Sequence, residues 1–152
     1  MPDVVTDSAR SALMRRVRQR GTPGEKRVAT VCRQLGLTYR LNVRSLPGSP
    51  DLANKTYRWA IFVSGCFWHQ HPGCAKATMP KRNAAFWQDK LAGNVRRDAG
   101  KTEALRNLEF TVLTIWDCET VDPALIGRRV QEMTAIAATS SRKRPFQMPR
   151  PQ

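Results

Sequence analysis

Apolar and polar residues follow one another along this chain with periods that predict helices and strands in mixed order. The first segment opens with Thr22-Pro23-Gly24-Glu25, a capping box in which proline takes the first helical position. Apolar residues then follow at helical spacing until Gly36 ends the segment: Val28, Val31, Cys32 and Leu35. The pattern predicts a helix that buries Cys32, where a thiol behaves as a small hydrophobe.

Three short apolar runs after this helix predict strands. They cover residues 37–43, 50–53 and 57–63, and a loop with two prolines and a glycine separates the first two. Asn54-Lys55 form a turn between the second and third runs, so these runs predict a hairpin. Asp51 lies at the start of that hairpin and faces the third strand.

The second half of the chain predicts a helix, a strand and a helix. The first of these helices begins near Asn83 and carries four apolar residues along one side: Phe86, Trp87, Leu91 and Val95. Residues 110–116 form a continuous apolar run of the kind buried on both faces of a sheet, and the last helix spans residues 123–138. The order of elements predicts an α/β fold in which helices cover a mixed sheet.

Residues 65–74 combine metal ligands with aromatic side chains, which is a poor composition for a core. Cys66, His71 and Cys74 have a short spacing that lets them converge on one zinc ion, which prefers four such ligands in a tetrahedron. Cys118 is predicted to supply the fourth ligand, because a strand end can return a distant residue to this loop.

His69 is an alternative zinc ligand to His71, since both lie close to Cys66 in sequence. In either arrangement the zinc would hold Phe67 and Trp68 on a rigid loop.

The charge of the chain narrows the class of partner. Lysine and arginine number 26 against 12 acidic residues, a formal net charge of +14. Such a surface suits DNA, because protein cations replace the counterions condensed on phosphates; a ribosomal or other basic protein is the alternative on charge alone. Residues 1–20 do not resemble a secretory signal, and the longest apolar run is too short to span a bilayer. We therefore expect no membrane contact and a cytoplasmic, nucleoid-associated location, where reduced cysteines favour metal binding over disulfides.

The chain is predicted to form one domain between two basic segments. Residues 1–20 form a basic N-terminal arm or helix, residues 21–139 the folded domain, and residues 140–152 a basic, disordered tail that touches DNA.

Four motifs, in the same order over roughly residues 8–120, resemble those of the very short patch repair endonucleases. They are Pro50-Asp51 after Leu46-Pro47-Gly48, Gly65-Cys66-Phe67-Trp68-His69, Phe86-Trp87 followed by Lys90, Asn94 and Arg97-Asp98, and Ile115-Trp116-Asp117-Cys118-Glu119. The resemblance implies a restriction-endonuclease-like fold, catalytic magnesium and structural zinc. It also implies a monomer that nicks double-stranded DNA on the 5′ side of the thymine in a T:G mismatch, the product of 5-methylcytosine deamination.

The same resemblance assigns roles around Asp51. Without context an Asp after Pro is a common turn former, but the resemblance implies that Asp51 binds magnesium together with the main-chain carbonyl of Val63. The acid and lysine that often follow on the next strand of such nucleases are missing here. His69 would then be the proton-transfer residue.

Two further acids each have two interpretations. Glu25 either completes the helix cap or, as the resemblance implies, faces the magnesium and His69. Asp98 is either a surface acid neutralised by Arg97 or the group that orients His69. Ser64 stands where the family commonly has a histidine, and because serine cannot carry positive charge, this departure predicts slower nicking.

The aromatic side chains suggest how a mismatch is selected. A T:G pair stacks weakly, so wedging Phe67, Trp68 and Trp87 into the adjacent step costs least there; Trp87 is also interpreted as a core residue, the commoner use of an aromatic at helical spacing. Met14 is expected to insert from the opposite groove. The expected phosphate contacts are Lys76, Lys81, Arg82, Arg96 and Arg97.

Two other functions fit these residues. One is a DNA-binding homologue with weakened catalysis, which the serine at position 64 would explain. The other is a nuclease of the same family that acts on another lesion or on foreign DNA. The bases preferred around the mismatch do not follow from the sequence, because base readout depends on loop geometry.

Overall fold

The structure, a computed structural model, describes residues 21–140. The expected basic arm with Met14 and the tail from residue 141 onward lie outside these residues. The elements in chain order are helix α1 (Pro23–Gln34), strands β1 (Arg40–Leu41), β2 (Leu52–Asn54) and β3 (Trp59–Ser64), helix α2 (Ala84–Asn107), strand β4 (Thr111–Trp116), a 3-10 helix (Asp117–Glu119) and helix α3 (Pro123–Ser140).

The four strands form one mixed sheet in the order β1-β2-β3-β4. Strand β2 pairs antiparallel with both neighbours, and Leu52 lies opposite Ile61 in the predicted hairpin. Strand β4 runs parallel to β3 and sets Trp116 opposite Ser64, so helix α2 is the connection between two parallel strands. The predicted α/β class is confirmed, and the carboxyl ends of β3 and β4 meet at one edge of the sheet.

Two apolar clusters hold the helices to the sheet. The larger contains Val28 and Cys32 of α1, Ile61 and Ile115 of the sheet, and Val130 of α3. The smaller gathers Leu46, Ala60, Leu105 and Phe110. Cys32 is fully buried, as predicted, and burial raises the pKa of its thiol to about 11, which keeps it protonated and unreactive.

The start of α1 follows its sequence signal with one difference. Thr22 caps the helix, and its Oγ1 accepts a hydrogen bond from the Glu25 amide at 3.2 Å. The Glu25 carboxylate accepts from the amide of Gly21, one residue before the cap, at 2.7 Å. The other carboxylate oxygen of buried Glu25 can therefore accept a bond from a group at the edge of the sheet.

Three details of the sequence prediction are wrong. The strand predicted over residues 37–43 is only two residues long and ends at Leu41, because Asn42 adopts a positive φ of 49° and leaves the extended conformation. In β4 only Leu113 and Ile115 are buried, so the strand is not buried on both faces. On α2, Phe86 and Val95 are 61% and 44% exposed, because only the stripe through Trp87 and Leu91 faces the protein.

Among the described residues, none of the helices has the length and apolar character needed to cross a membrane.

Candidate catalytic and metal sites

Two carboxylates meet where the hairpin begins. Asp51 lies immediately before β2, and its Oδ2 accepts a hydrogen bond from the Val63 amide at 2.7 Å. Glu25 comes from the first turn of α1, is 7% exposed, and is near enough to Asp51 to raise the pKa of that carboxyl. The structure thus brings together Asp51, Val63 and Glu25, which are distant in sequence.

The surroundings of Asp51 oppose its ionisation. Burial raises the pKa of Asp51 to about 7, the Val63 amide opposes this shift, and the Glu25 carboxylate adds to it. Because two adjacent carboxylates repel each other, a divalent cation that binds hard oxygen ligands would relieve both the burial and the repulsion. The donor set therefore fits magnesium.

His69 approaches the same acids from the loop after β3. Its Nδ1 lies 2.5 Å from Oδ2 of Asp98 on α2, and both side chains are about one-third exposed, at 30% and 33%. A positive charge on His69 lowers the pKa of Asp51, by less than Glu25 raises it. Of the two interpretations of Asp98, the contact with His69 is the one observed, while Arg97 donates instead to Asn94 Oδ1.

Ser64 ends β3 and is 7% exposed. It lines a cleft of about 540 Å³ that separates α2 from the ends of β3 and β4, and His69, Asp98 and Trp116 line the same cleft. The residue at the position of the expected histidine is therefore next to the His69–Asp98 pair.

Three thiols and one imidazole converge at the loop after β3. The ligand atoms of Cys66, His71, Cys74 and Cys118 all lie within 4.8 Å of one another. Ligands of a tetrahedral zinc ion lie roughly 3.5–3.8 Å apart, so these four atoms surround a volume of suitable size. The structure brings His71 into this group, whereas the other histidine, His69, is bonded to Asp98.

The thiols are held in place by contacts from two segments. The Cys118 amide donates to Cys66 Sγ at 3.4 Å, and His71 stacks on Trp116 with ring centroids 4.3 Å apart. Burial and then the neighbouring Cys66 thiol raise the pKa of Cys118 to about 11, whereas the Lys76 amide lowers the pKa of Cys74. A bound zinc ion would instead lower the pKa of Cys118, because zinc binds the thiolate form.

Aromatic side chains from the loop after β3 and from helix α2 form one cluster. The Trp87 ring lies 5.7 Å from Phe67 and 6.0 Å from Trp68, measured between centroids. Trp87 is only 9% exposed, as expected of a core aromatic, whereas Phe67 and Trp68 are half-buried. In this cluster Trp87 is buried, and the rings of Phe67 and Trp68 lie nearer the protein surface.

Two residues that sequence reasoning left without a role hold the aromatic loop by its carbonyl groups. Asn94 Nδ2 donates to the Trp68 carbonyl at 3.0 Å, and Gln70 Nε2 donates to the Phe67 carbonyl at 2.6 Å. Helical spacing was the available signal for Asn94, because Trp87, Asn94 and Asp98 fall on one face of α2.

The expected phosphate contacts are exposed, in agreement with a role at the surface. They are Lys76, Lys81, Arg82, Arg96 and Arg97.

Known proteins resemble this chain over most of its length. The family model described as DNA mismatch endonuclease Vsr matches residues 2–76. The DNA mismatch endonuclease Vsr of Escherichia coli K12 is 40% identical over 139 residues, which cover 91% of this chain and 84% of the relative. The type II nicking enzyme V.XorIIP of Xanthomonas oryzae pv. oryzae is 35% identical over 88% of this chain and 97% of its own length. The type II nicking enzyme V.NmeAIP of Neisseria meningitidis serogroup A is 32% identical over 88% and 94%.

Proposed function

Because this chain belongs to the Vsr family of DNA mismatch endonucleases, we propose that it is a magnesium-dependent nickase for T:G mismatches. It cuts on the 5′ side of the thymine and so begins very short patch repair of deaminated 5-methylcytosine. The observation that carries this proposal is the convergence of Asp51, Glu25 and His69 at one sheet edge, next to the aromatic cluster.

The proposal includes a restriction-endonuclease-like fold for residues 21–139, flanked by the basic arm and tail. Three features support this fold: Asp51 at the start of the β2–β3 hairpin, Glu25 of α1 beside it, and the parallel pairing of β3 with β4. One set of catalytic groups cuts one strand, so the enzyme acts as a monomer on double-stranded DNA. Because its proposed substrate is DNA, the enzyme acts at the nucleoid in the cytoplasm.

Asp51 and the main-chain carbonyl of Val63 would hold the magnesium, and Glu25 would add a second carboxylate to the site. Magnesium bound there supplies positive charge beside the phosphate that is cut and favours ionisation of water. Asp51 is fixed for this role by the Val63 amide, which leaves lone pairs of its carboxylate free.

His69 performs the proton transfer. Because the Asp98 carboxylate accepts a hydrogen bond from Nδ1–H, the neutral ring has its lone pair on Nε2. Water oxygen forms a bond to phosphorus, Nε2 takes the proton that the water loses, and the bond from phosphorus to the preceding 3′ oxygen breaks. The 3′ oxygen leaves with the electron pair and takes a proton from solvent, which gives a 3′-hydroxyl and a 5′-phosphate.

The aromatic cluster provides the selectivity in this account. Phe67 and Trp68 wedge into the base step beside the mismatch, where stacking is weakest, and Trp87 supports them from below. Structural zinc, bound by Cys66, His71, Cys74 and Cys118, keeps the loop rigid, so the wedge is preorganised before DNA binds.

The experiment is a nicking assay on end-labelled duplexes that differ at one pair, T:G, T:A or C:G, with magnesium or with a chelator. We expect one nick, 5′ of the thymine, on the T:G duplex with magnesium alone. Binding without a nick would support the weakened DNA-binding homologue, and equal cutting of all three duplexes would support a nuclease with another target.

A further inference from the structure

The cleft that Ser64 and His69 line also contains a lysine to which no role has been assigned. Its polar lining includes Ser64, His69, Asp98 and Lys101. Lys101 follows Asp98 by one helical turn on α2, so it projects from the same side of that helix. Its side chain is half-buried, as is common when the aliphatic stem of a lysine lies along the protein.

The stem of Lys101 packs against the loop that leads into Asp51. A Cβ atom built on Gly48 would lie 2.6 Å from Lys101 Cγ and 2.7 Å from its Cδ, so only glycine leaves room for this stem. Gly48 also has a φ of +74°, a second reason for glycine at this position. Lys101 therefore contacts the Asp51 loop and borders the cleft of Ser64 and His69.

The Lys101 ammonium has no carboxylate at ion-pair distance within residues 21–140, although Glu103 borders the same cleft. Among these residues, the charge at the end of the packed stem is therefore left without an anionic partner. A phosphate that enters the cleft would supply the missing partner.

We propose that Lys101 contacts the phosphate that is cut and supplies the positive charge that Ser64 cannot carry. The inference rests on the proposed nickase function. When water attacks phosphorus, negative charge grows on the phosphate oxygens, and an ammonium group held beside them stabilises that charge. Ser64 offers one neutral hydrogen bond there, so the lysine offsets the loss expected from the missing imidazole.

Arg106, the other cation of this cleft, is less suited to the role. It lies eight residues after Asp98, roughly 12 Å along a helix that rises about 1.5 Å per residue, whereas Lys101 is roughly 4.5 Å along. Arg106 is also exposed, at the last turn of α2.

The test uses Lys101→Gln in the full chain, because glutamine keeps the Cβ, Cγ and Cδ atoms that pack on Gly48 and removes the charge. We expect the single-turnover rate on T:G DNA to fall about 10²-fold, with binding changed less than about threefold and the melting temperature unchanged. Lys101→Arg should recover most of the rate. Arg128→Gln removes an equal charge from exposed α3 and is the matched control, with no expected change.

A second comparison separates a charge role from a structural one. Ser64→His should raise the rate of the Lys101→Gln variant at least tenfold and that of the parent protein much less, because one cation then replaces the other. If Lys101→Gln cuts at the parental rate, or if Lys101→Arg and Ser64→His both fail to restore a lowered rate, the inference is wrong. A parent protein that does not nick T:G DNA would instead refute the proposed function.

Discussion

His69 Nδ1 and Asp98 Oδ2 lie 2.5 Å apart, and this contact decides which imidazole nitrogen is available for chemistry. An ionised carboxylate only accepts hydrogen bonds, so Nδ1 is the donor in this contact, and the neutral ring has its lone pair on Nε2. The pair joins the loop after β3 to the middle of α2. It therefore makes the orientation of the proposed base depend on the position of the helix.

Asp98→Ala tests that dependence. Without its acceptor the ring can rotate or change tautomer, so we expect the single-turnover rate to fall roughly 10²-fold, with T:G binding unchanged or slightly stronger. Asp89→Ala removes an exposed acid from the same helix and should leave the rate unchanged. Equal rates for the two variants would mean that Asp98 does not orient His69.

Cys118→Ala tests the zinc ligands. We expect the parent protein to contain one zinc per chain, and the variant to lose it and unfold at a lower temperature, because the ion joins the loop to the end of β4. Cys32→Ala is the matched control, since that thiol is buried in the core and should not affect zinc content. Elemental analysis and melting curves provide both measurements. Full zinc content in Cys118→Ala would show that the ligand set is wrong.

Asp51→Asn tests the cost of the buried acid in the absence of divalent ions. Burial, with a further contribution from Glu25, raises the pKa of Asp51 from 3.8 to about 7 in the folded state. The folded state thus holds the proton more tightly than the unfolded chain, so this group lowers stability progressively as pH rises from about 4 to about 7.

Asparagine keeps the acceptor for the Val63 amide but cannot ionise. We therefore expect Asp51→Asn to be more stable than the parent by about 2 kcal/mol at about pH 8, and by much less at about pH 5. Urea unfolding at the two pH values measures this difference, with Asp89→Asn as the exposed control. A constant difference at both values would contradict the assigned environment of Asp51.

A comparison of Trp87→Ala with Phe86→Ala tests how the aromatic cluster is packed. Trp87 is 9% exposed and contacts three aromatic rings, so its loss should cost about 3–5 kcal/mol of unfolding free energy. Phe86, 61% exposed, should change stability by less than about 0.5 kcal/mol. Denaturant titration of both variants checks the contrast, and similar losses would mean that the cluster is packed differently.

The sequence predicted the parts of this site that depend on local signals and short ligand spacing. The capping box located the start of α1. The position of Cys118 just after a strand correctly predicted that this thiol lies near Cys66. The contact of Asp98 with His69 was one of two interpretations, because helical spacing shows which face carries an acid but not which loop lies opposite.

Tertiary packing accounts for what the sequence did not predict. Adjacent residues on a helix point about 100° apart, and on α2 the protein covers the side of Trp87 but not that of Phe86, although both are aromatic. The role of Gly48 was not visible either, because its neighbour Lys101 lies on a helix more than 50 residues later in the chain. The extended conformation of β1 likewise ends at the positive φ of Asn42, which the apolar pattern did not reveal.

The central claim is that the site around Asp51 cuts DNA at a T:G mismatch, and comparison of the parent protein with Asp51→Ala tests it most directly. Single-turnover nicking and equilibrium binding are measured on the same T:G duplex with magnesium. The account predicts that Asp51→Ala loses nicking while binding is retained or slightly strengthened, because a negative charge near phosphate is removed. Nicking by Asp51→Ala within about tenfold of the parent, about 1.4 kcal/mol of barrier, would contradict it.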